Sequence, residues 1–206
     1  QQIQSVFENE DYVGYIINNS ANPEKGKYIL LSAHREENID IEANFFSLMN
    51  AVNSMAETYD MPVLYSCHPR SQKMIEKRRF KFCDKVIQHE PLGFFDYNKL
   101  QKNSFCVVSD SGTIPEESAF FHFPAVSIRT STERPEAMDK GVFVIGSISS
   151  ELVLQAVNMA VEMYANGDSV YDVPAYVDTN VSTKVVKLIQ SYVGVINRMV
   201  WGKSNI

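Results

Sequence analysis

Short apolar blocks alternate with amphipathic stretches along most of this chain. Residues 28–32 (YILLS), 62–66 (PVLYS), 85–88, 105–108 (FCVV), 124–128 (PAVSI) and 142–145 are brief and rich in β-prone residues, the pattern of buried strands. Between them the period lengthens. Over residues 42–59, Phe45, Phe46, Leu48, Met49, Val52 and Met55 recur at near-helical spacing. Further helices are predicted over 71–79 (a basic stretch), 94–102, from 113 to 121, and over 150–165. Strands separated by helices predict a parallel sheet with helices on both faces: an α/β, Rossmann-like three-layer domain.

Three segments fall outside that alternation. Residues 1–24 are polar and read as a linker or the remnant of a preceding domain; 25–165 form the domain itself. Residues 166–180 (NGDSVYDVPAYVDTN) are turn-rich and read as a loop. A last helix is predicted over 181–201, with Val185, Leu188, Ile189, Tyr192 and Ile196 on one side. It either folds back on the domain or reaches toward another.

Composition narrows the function classes. At 206 residues, 45% hydrophobic and 21% charged, the chain is long enough to bury a proper core. A net charge of −6 argues against a nucleic-acid or membrane-surface role. It does not argue against an anionic ligand, because local donors set a site, and Arg35, Arg70, Arg129 and Arg134 each fall in or beside a polar loop. Cys67, Cys83 and Cys106 are odd in number and lack a C-x-x-C spacing, so Cys67 and Cys106 read as small buried thiols of a reducing, cytoplasmic compartment. No apolar run approaches the roughly 20 residues of a membrane span. The chain begins Gln-Gln rather than Met, with no signal peptide visible, which suggests a fragment. Histidines and carboxylates lack metal-ligand spacing, and there is no G-x-G-x-x-G, Walker A or G-x-S-x-G motif, so neither a metal nor a cofactor is expected.

The chemistry concentrates in loops after strand C-termini, where open α/β sheets bind ligands. Residues 105–117 (FCVVSDSGTIPEE) run from a strand through a tight polar turn into a helix. Thr113 and Glu116 are spaced as a capping box. Unpaired amides and the positive helix end favour an anion there. Gly112 admits a phosphate, Ser111 and Thr113 add hydroxyl donors, and Glu117 is left to accept from a ribose diol. Alone, the stretch also reads as an ordinary βα turn. After the first strand, His34 and Arg35 either meet a diphosphate or belong to a solvated loop. His68, before Pro69, reads more as a structural group than a cleft residue. In the loop after 124–128, Arg134 either forks onto phosphate, oriented by Glu133 and Glu136, or joins a surface ion-pair cluster. In 91–97 (PLGFFDY), Phe94 and Phe95 read as core, and Tyr97 as the better candidate to stack on a base.

Taken in order, SAHREEN (32–38), HPR (68–70), PLGFFDY (91–97), SDSGTIPEE (109–117) and TERPE (132–136) resemble the C-terminal half of the non-hydrolysing UDP-N-acetylglucosamine 2-epimerase family. The likeness spans residues 28–146. The HREEN and SGT wording is closer to the branch forming UDP-N-acetyl-L-fucosamine from its L-talosamine epimer for capsule or O-antigen; the branch acting on UDP-GlcNAc usually carries HRREN and SGG. The resemblance implies a GT-B-like fold of two Rossmann-like domains with a UDP-sugar between them, this chain supplying the C-terminal one. It implies that His34 contacts the diphosphate and assists catalysis, and that Ser111, Gly112 and Thr113 cradle the phosphates. Glu117 would hold the ribose and Arg134 a phosphate or its loop, with Tyr97 at the uracil. Leu92 stands where some members have glutamine. C2 inversion would proceed by elimination and re-addition of UDP, with acid and base carboxylates in a missing N-terminal domain. This half alone is therefore expected to be inactive, and the full-length enzyme a homodimer. A GT-B glycosyltransferase shares the same features and is the alternative; a UDP-binding module is a third.

Overall fold

Six parallel strands set the frame: β1 (Ile29–Ser32), β2 (Val63–Ser66), β3 (Val86–His89), β4 (Cys106–Ser109), β5 (Ala125–Ser127) and β6 (Val144–Ile145). They lie in the order β3-β2-β1-β4-β5-β6 in the computed structural model, which describes residues 25–203. The linker expected over 1–24 lies outside the described residues. Parallel strands need a helix between them to return the chain. Those helices are α1 (Glu36–Ile39), α2 (Glu42–Thr58), α3 (Pro69–Arg78), α4 (Phe94–Asn103), α5 (Ile114–Phe121) and α6 (Pro135–Asp139), while α7 (Ser150–Asn166) follows the last strand.

Side-chain alternation divides the sheet between two faces. Ile29, Leu31, Val63, Tyr65, Cys106, Val108 and Val126 join one core with Phe45, Leu48, Val52 and Met55 of α2 and Val153, Ala156 and Val157 of α7. Leu30, Leu64 and Val107, out of phase with that set, are also buried. Burying each such side chain contributes about 1.5–3 kcal/mol, so the four central strands are the most firmly held. Both edge strands, β3 and β6, are only partly buried.

Helix ends follow local chemistry. Pro69 occupies the first turn of α3, and the Nδ1 of His68 accepts the Arg70 amide at 3.3 Å as its N-cap. The helix therefore begins two residues before the predicted start. Phe94 and Phe95 are 69% and 45% exposed, against the core position expected for them. They open α4, whose buried residues come later, at Asn98, Lys99, Leu100 and Gln101.

The described residues divide into two compact units, one ending at Asp172 and one starting at Val173. The second holds a 3-10 turn (Pro174–Tyr176), inside the expected loop, and α8 (Val181–Met199). Along α8, Val185, Leu188, Ile189 and Tyr192 are all exposed. Among the described residues, no helix is long and apolar enough to cross a membrane.

Candidate functional site

The strand order reverses between β1 and β4, and the crevice beyond their C-terminal ends is where such sheets take ligands. In register, Ser32 pairs with Ser109, so the loops starting at Ala33 and Asp110 leave the sheet side by side. Ala33 is pinned through its carbonyl, which accepts from the Tyr65 hydroxyl at 3.0 Å and the Ser71 hydroxyl at 2.8 Å.

Asp110 stitches the two loops together. Its side chain is fully buried, and Oδ2 accepts the amides of His34 (2.9 Å) and Arg35 (2.8 Å) and the Asn38 side chain (3.2 Å). The Arg35 Nε donates to the Asp110 carbonyl at 2.8 Å. Oδ1 lies 3.2 Å from Nδ1 of His34 without the geometry of a formed hydrogen bond. His34 is half-exposed and faces the crevice edge.

The next loop departs from the predicted cap. Thr113 precedes α5 with helical angles (φ −97°, ψ −4°) and makes no capping bond, because an N-cap hydroxyl reaches the first-turn amides from an extended backbone. Its hydroxyl instead donates to Glu117 at 2.7 Å and lies 3.0 Å from the Ser111 hydroxyl. Glu116, the expected partner in the box, is drawn off by the Arg134 guanidinium. Glu117 is not left free: the Gln101 amide donates to its other oxygen at 2.5 Å. A Cβ on Gly112 would stand 3.8 Å from Nη1 of Arg129 and 4.0 Å from Nη2 of Arg35. Two guanidinium groups therefore flank this glycine.

Tyr97 is turned inward. Its phenol reaches the Ser32 side chain near Glu117 and Asp110, and burial, with the Glu117 charge next, pushes its ionisation upward. His68 borders the site, its ring 5.9 Å from that of His34. Arg70 ties α3 to α1 through Glu36 (2.7 Å) and Asp40. Arg134 anchors α6 to α5 through Glu116 and donates to the Glu133 carbonyl at 3.3 Å.

Residues 5–190 match the family described as UDP-N-acetylglucosamine 2-epimerase. The chain belongs to that family. A curated epimerase-family relative from Thermotoga maritima, named a putative UDP-N-acetylglucosamine 2-epimerase, is 30% identical over 167 residues, covering 80% of this chain and 44% of its own length. The UDP-N-acetylglucosamine 2-epimerase structure from Rickettsia bellii is 32% identical with a TM-score of 0.72, covering 98% of this chain and 52% of that one. An S. aureus MnaA–UDP co-structure is 29% identical with a TM-score of 0.66, over 84% and 47% of the two chains. The chain thus spans about half the length of the epimerases it matches.

Within this family frame, His34, Arg35, Ser111, Gly112, Thr113, Glu117 and Tyr97 gather around one crevice, with His68 at its border and Arg134 held from α6. Sequence reasoning passed over Asp110, Gln101 and the burial of Arg129. Asp110 had a readable signal: a carboxylate directly after a buried strand must find donors. Gln101 carried none, since a glutamine late in an amphipathic helix reads as surface.

Proposed function

We propose that this chain is the UDP-binding half of a UDP-N-acetylhexosamine 2-epimerase. The observation that carries the reading is the β1/β4 crevice, where the α5 N-terminus and two guanidinium groups converge on Gly112. The UDP co-structure of a 29% identical relative supports it. In this reading, the diphosphate lies over Ser111, Gly112 and Thr113, with His34 at its edge assisting departure of UDP. Glu117 exchanges the Thr113 and Gln101 bonds for a ribose diol, and Tyr97 lies toward the uracil. The reaction removes the C2 proton as the C1–O bond to UDP breaks, giving a 2-acetamidoglycal. UDP then returns to C1 as a proton enters C2 from the other face. The HREEN and SGT wording favours the branch forming UDP-N-acetyl-L-fucosamine for capsule or O-antigen over the branch forming UDP-ManNAc.

Calorimetry of the chain with UDP tests the binding claim; heat of a saturable 1:1 interaction is expected, and none sinks it. Incubating the full-length protein with each candidate UDP-sugar in deuterated water tests the reaction. Epimerisation places deuterium at C2, whereas transfer to an acceptor without that label would instead identify a glycosyltransferase.

A further inference from the structure

Arg129 follows β5 and is only 8% exposed, yet its fork closes on a carboxylate that is 61% exposed. Nη1 donates to Oε2 of Glu133 at 2.7 Å and Nη2 to Oε1 at 2.6 Å. The hydrogen bonds from Arg129 hold the Glu133 carboxyl down at about 2. The buried Nε of Arg129 has no hydrogen-bond partner. Glu37 and Asp110 are the other charges acting on this guanidinium. Nη1 of Arg129, the same nitrogen that donates to Oε2 of Glu133, also lies 3.8 Å from where a Cβ on Gly112 would stand, with Nη2 of Arg35 4.0 Å from the same point.

The two partners differ in what separation would cost them. Separating the pair costs the buried guanidinium more than the exposed carboxylate, which water readily takes back. The planar, two-oxygen face that Glu133 presents is also the face a phosphoryl group presents to arginine. A diphosphate carries two adjacent anionic groups, and Arg35 alone matches one of them. We propose that Arg129 is the second phosphate-binding cation of this crevice, and that Glu133 is an internal stand-in anion displaced when a diphosphate enters. The inference rests on the UDP-binding reading and extends it to a residue pair.

Glu133→Gln, Arg129→Lys and the unaltered chain should be titrated calorimetrically with inorganic pyrophosphate, UDP and UMP. Removing the competing carboxylate should tighten pyrophosphate and UDP binding about three- to tenfold. Losing the fork in Arg129→Lys should weaken both about ten- to a hundredfold. UMP, with a single phosphoryl group, should change less than about threefold in either variant. Glu133 lies at the surface, so its variant tests the idea even if Arg129→Lys folds poorly. Unchanged or weaker pyrophosphate binding by Glu133→Gln overturns the inference, as does unchanged binding by a folded Arg129→Lys. Pyrophosphate binding with this pattern, but no UDP binding, would overturn the uridine reading and leave the anion pair standing. An unaltered chain that binds neither ligand overturns both.

Discussion

Asp110 has no water to fall back on. Its Oδ2 carries the amides of His34 and Arg35 and the Asn38 side chain, all from within a fully buried position. Bonds to an ionised acceptor contribute about 1.5–3 kcal/mol each, and a buried donor left without one costs a similar amount. Asp110→Asn keeps the shape but puts an NH₂ group where one oxygen stood, so a donor must face either the loop amides or the His34 imidazole. We expect this variant to lose about 2 kcal/mol of stability in urea unfolding. The His34 and Arg35 amides should then exchange hydrogen about ten- to a hundredfold faster. Unaltered protection of those two amides would show that the loop holds its shape without the carboxylate. A single oxygen atom thus organises the start of α1.

Two glycines mark opposite limits of element packing. A Cβ on Gly146, just after β6, would come 2.9 Å from Cγ1 of Val126 and 3.3 Å from the Ala156 Cβ, so the end of β6 meets β5 and α7 with no room for a methyl group. Gly194, inside α8, has nothing within 4 Å of its Cβ position. Gly146→Ala should therefore cost about 1–3 kcal/mol by overpacking, read as a lower thermal midpoint. Gly194→Ala should instead stabilise its helix by about 0.5–1 kcal/mol, read as slower amide exchange along α8. Equal effects from the two would contradict the packing. The alternation of apolar blocks made all six strands and the long helices legible, because burial on both faces leaves a continuous apolar run. It could not show strand order, which depends on pairing between distant segments, nor the ends of β6, where Val142 and Phe143 are buried without joining the sheet. The site was legible as loops but not as bonds. Thr113 and Glu116 have the spacing of a capping box, yet the partner of Glu116 is Arg134, 18 residues on, and local spacing carries no trace of that contact.

Across the whole crevice, the arrangement of carboxylates bears on what this chain can do in the proposed reaction. Asp110 accepts three donors through one oxygen. Thr113 and Gln101 occupy both oxygens of Glu117, Arg134 holds Glu116, and Arg129 closes on Glu133. Abstracting a C2 proton requires a base with a lone pair turned to the substrate, within about 2.6–3.2 Å of the proton's heavy atom or one water away. Most of these oxygens are taken up by the crevice's own donors, and the two without a partner, Oδ1 of Asp110 and Oε2 of Glu116, are buried. The chain spans 52% and 47% of the similar structures from R. bellii and S. aureus, and in the proposed reaction the base comes from outside this chain. The 206-residue chain, given a UDP-N-acetylhexosamine in deuterated water, should therefore bind the uridine diphosphate moiety and place no deuterium at C2. Mass spectrometry of the recovered sugar reads this directly. Deuterium at C2 would mean that a residue of this half moves the proton itself, and His34, the half-exposed group at the crevice edge, would be the first to substitute.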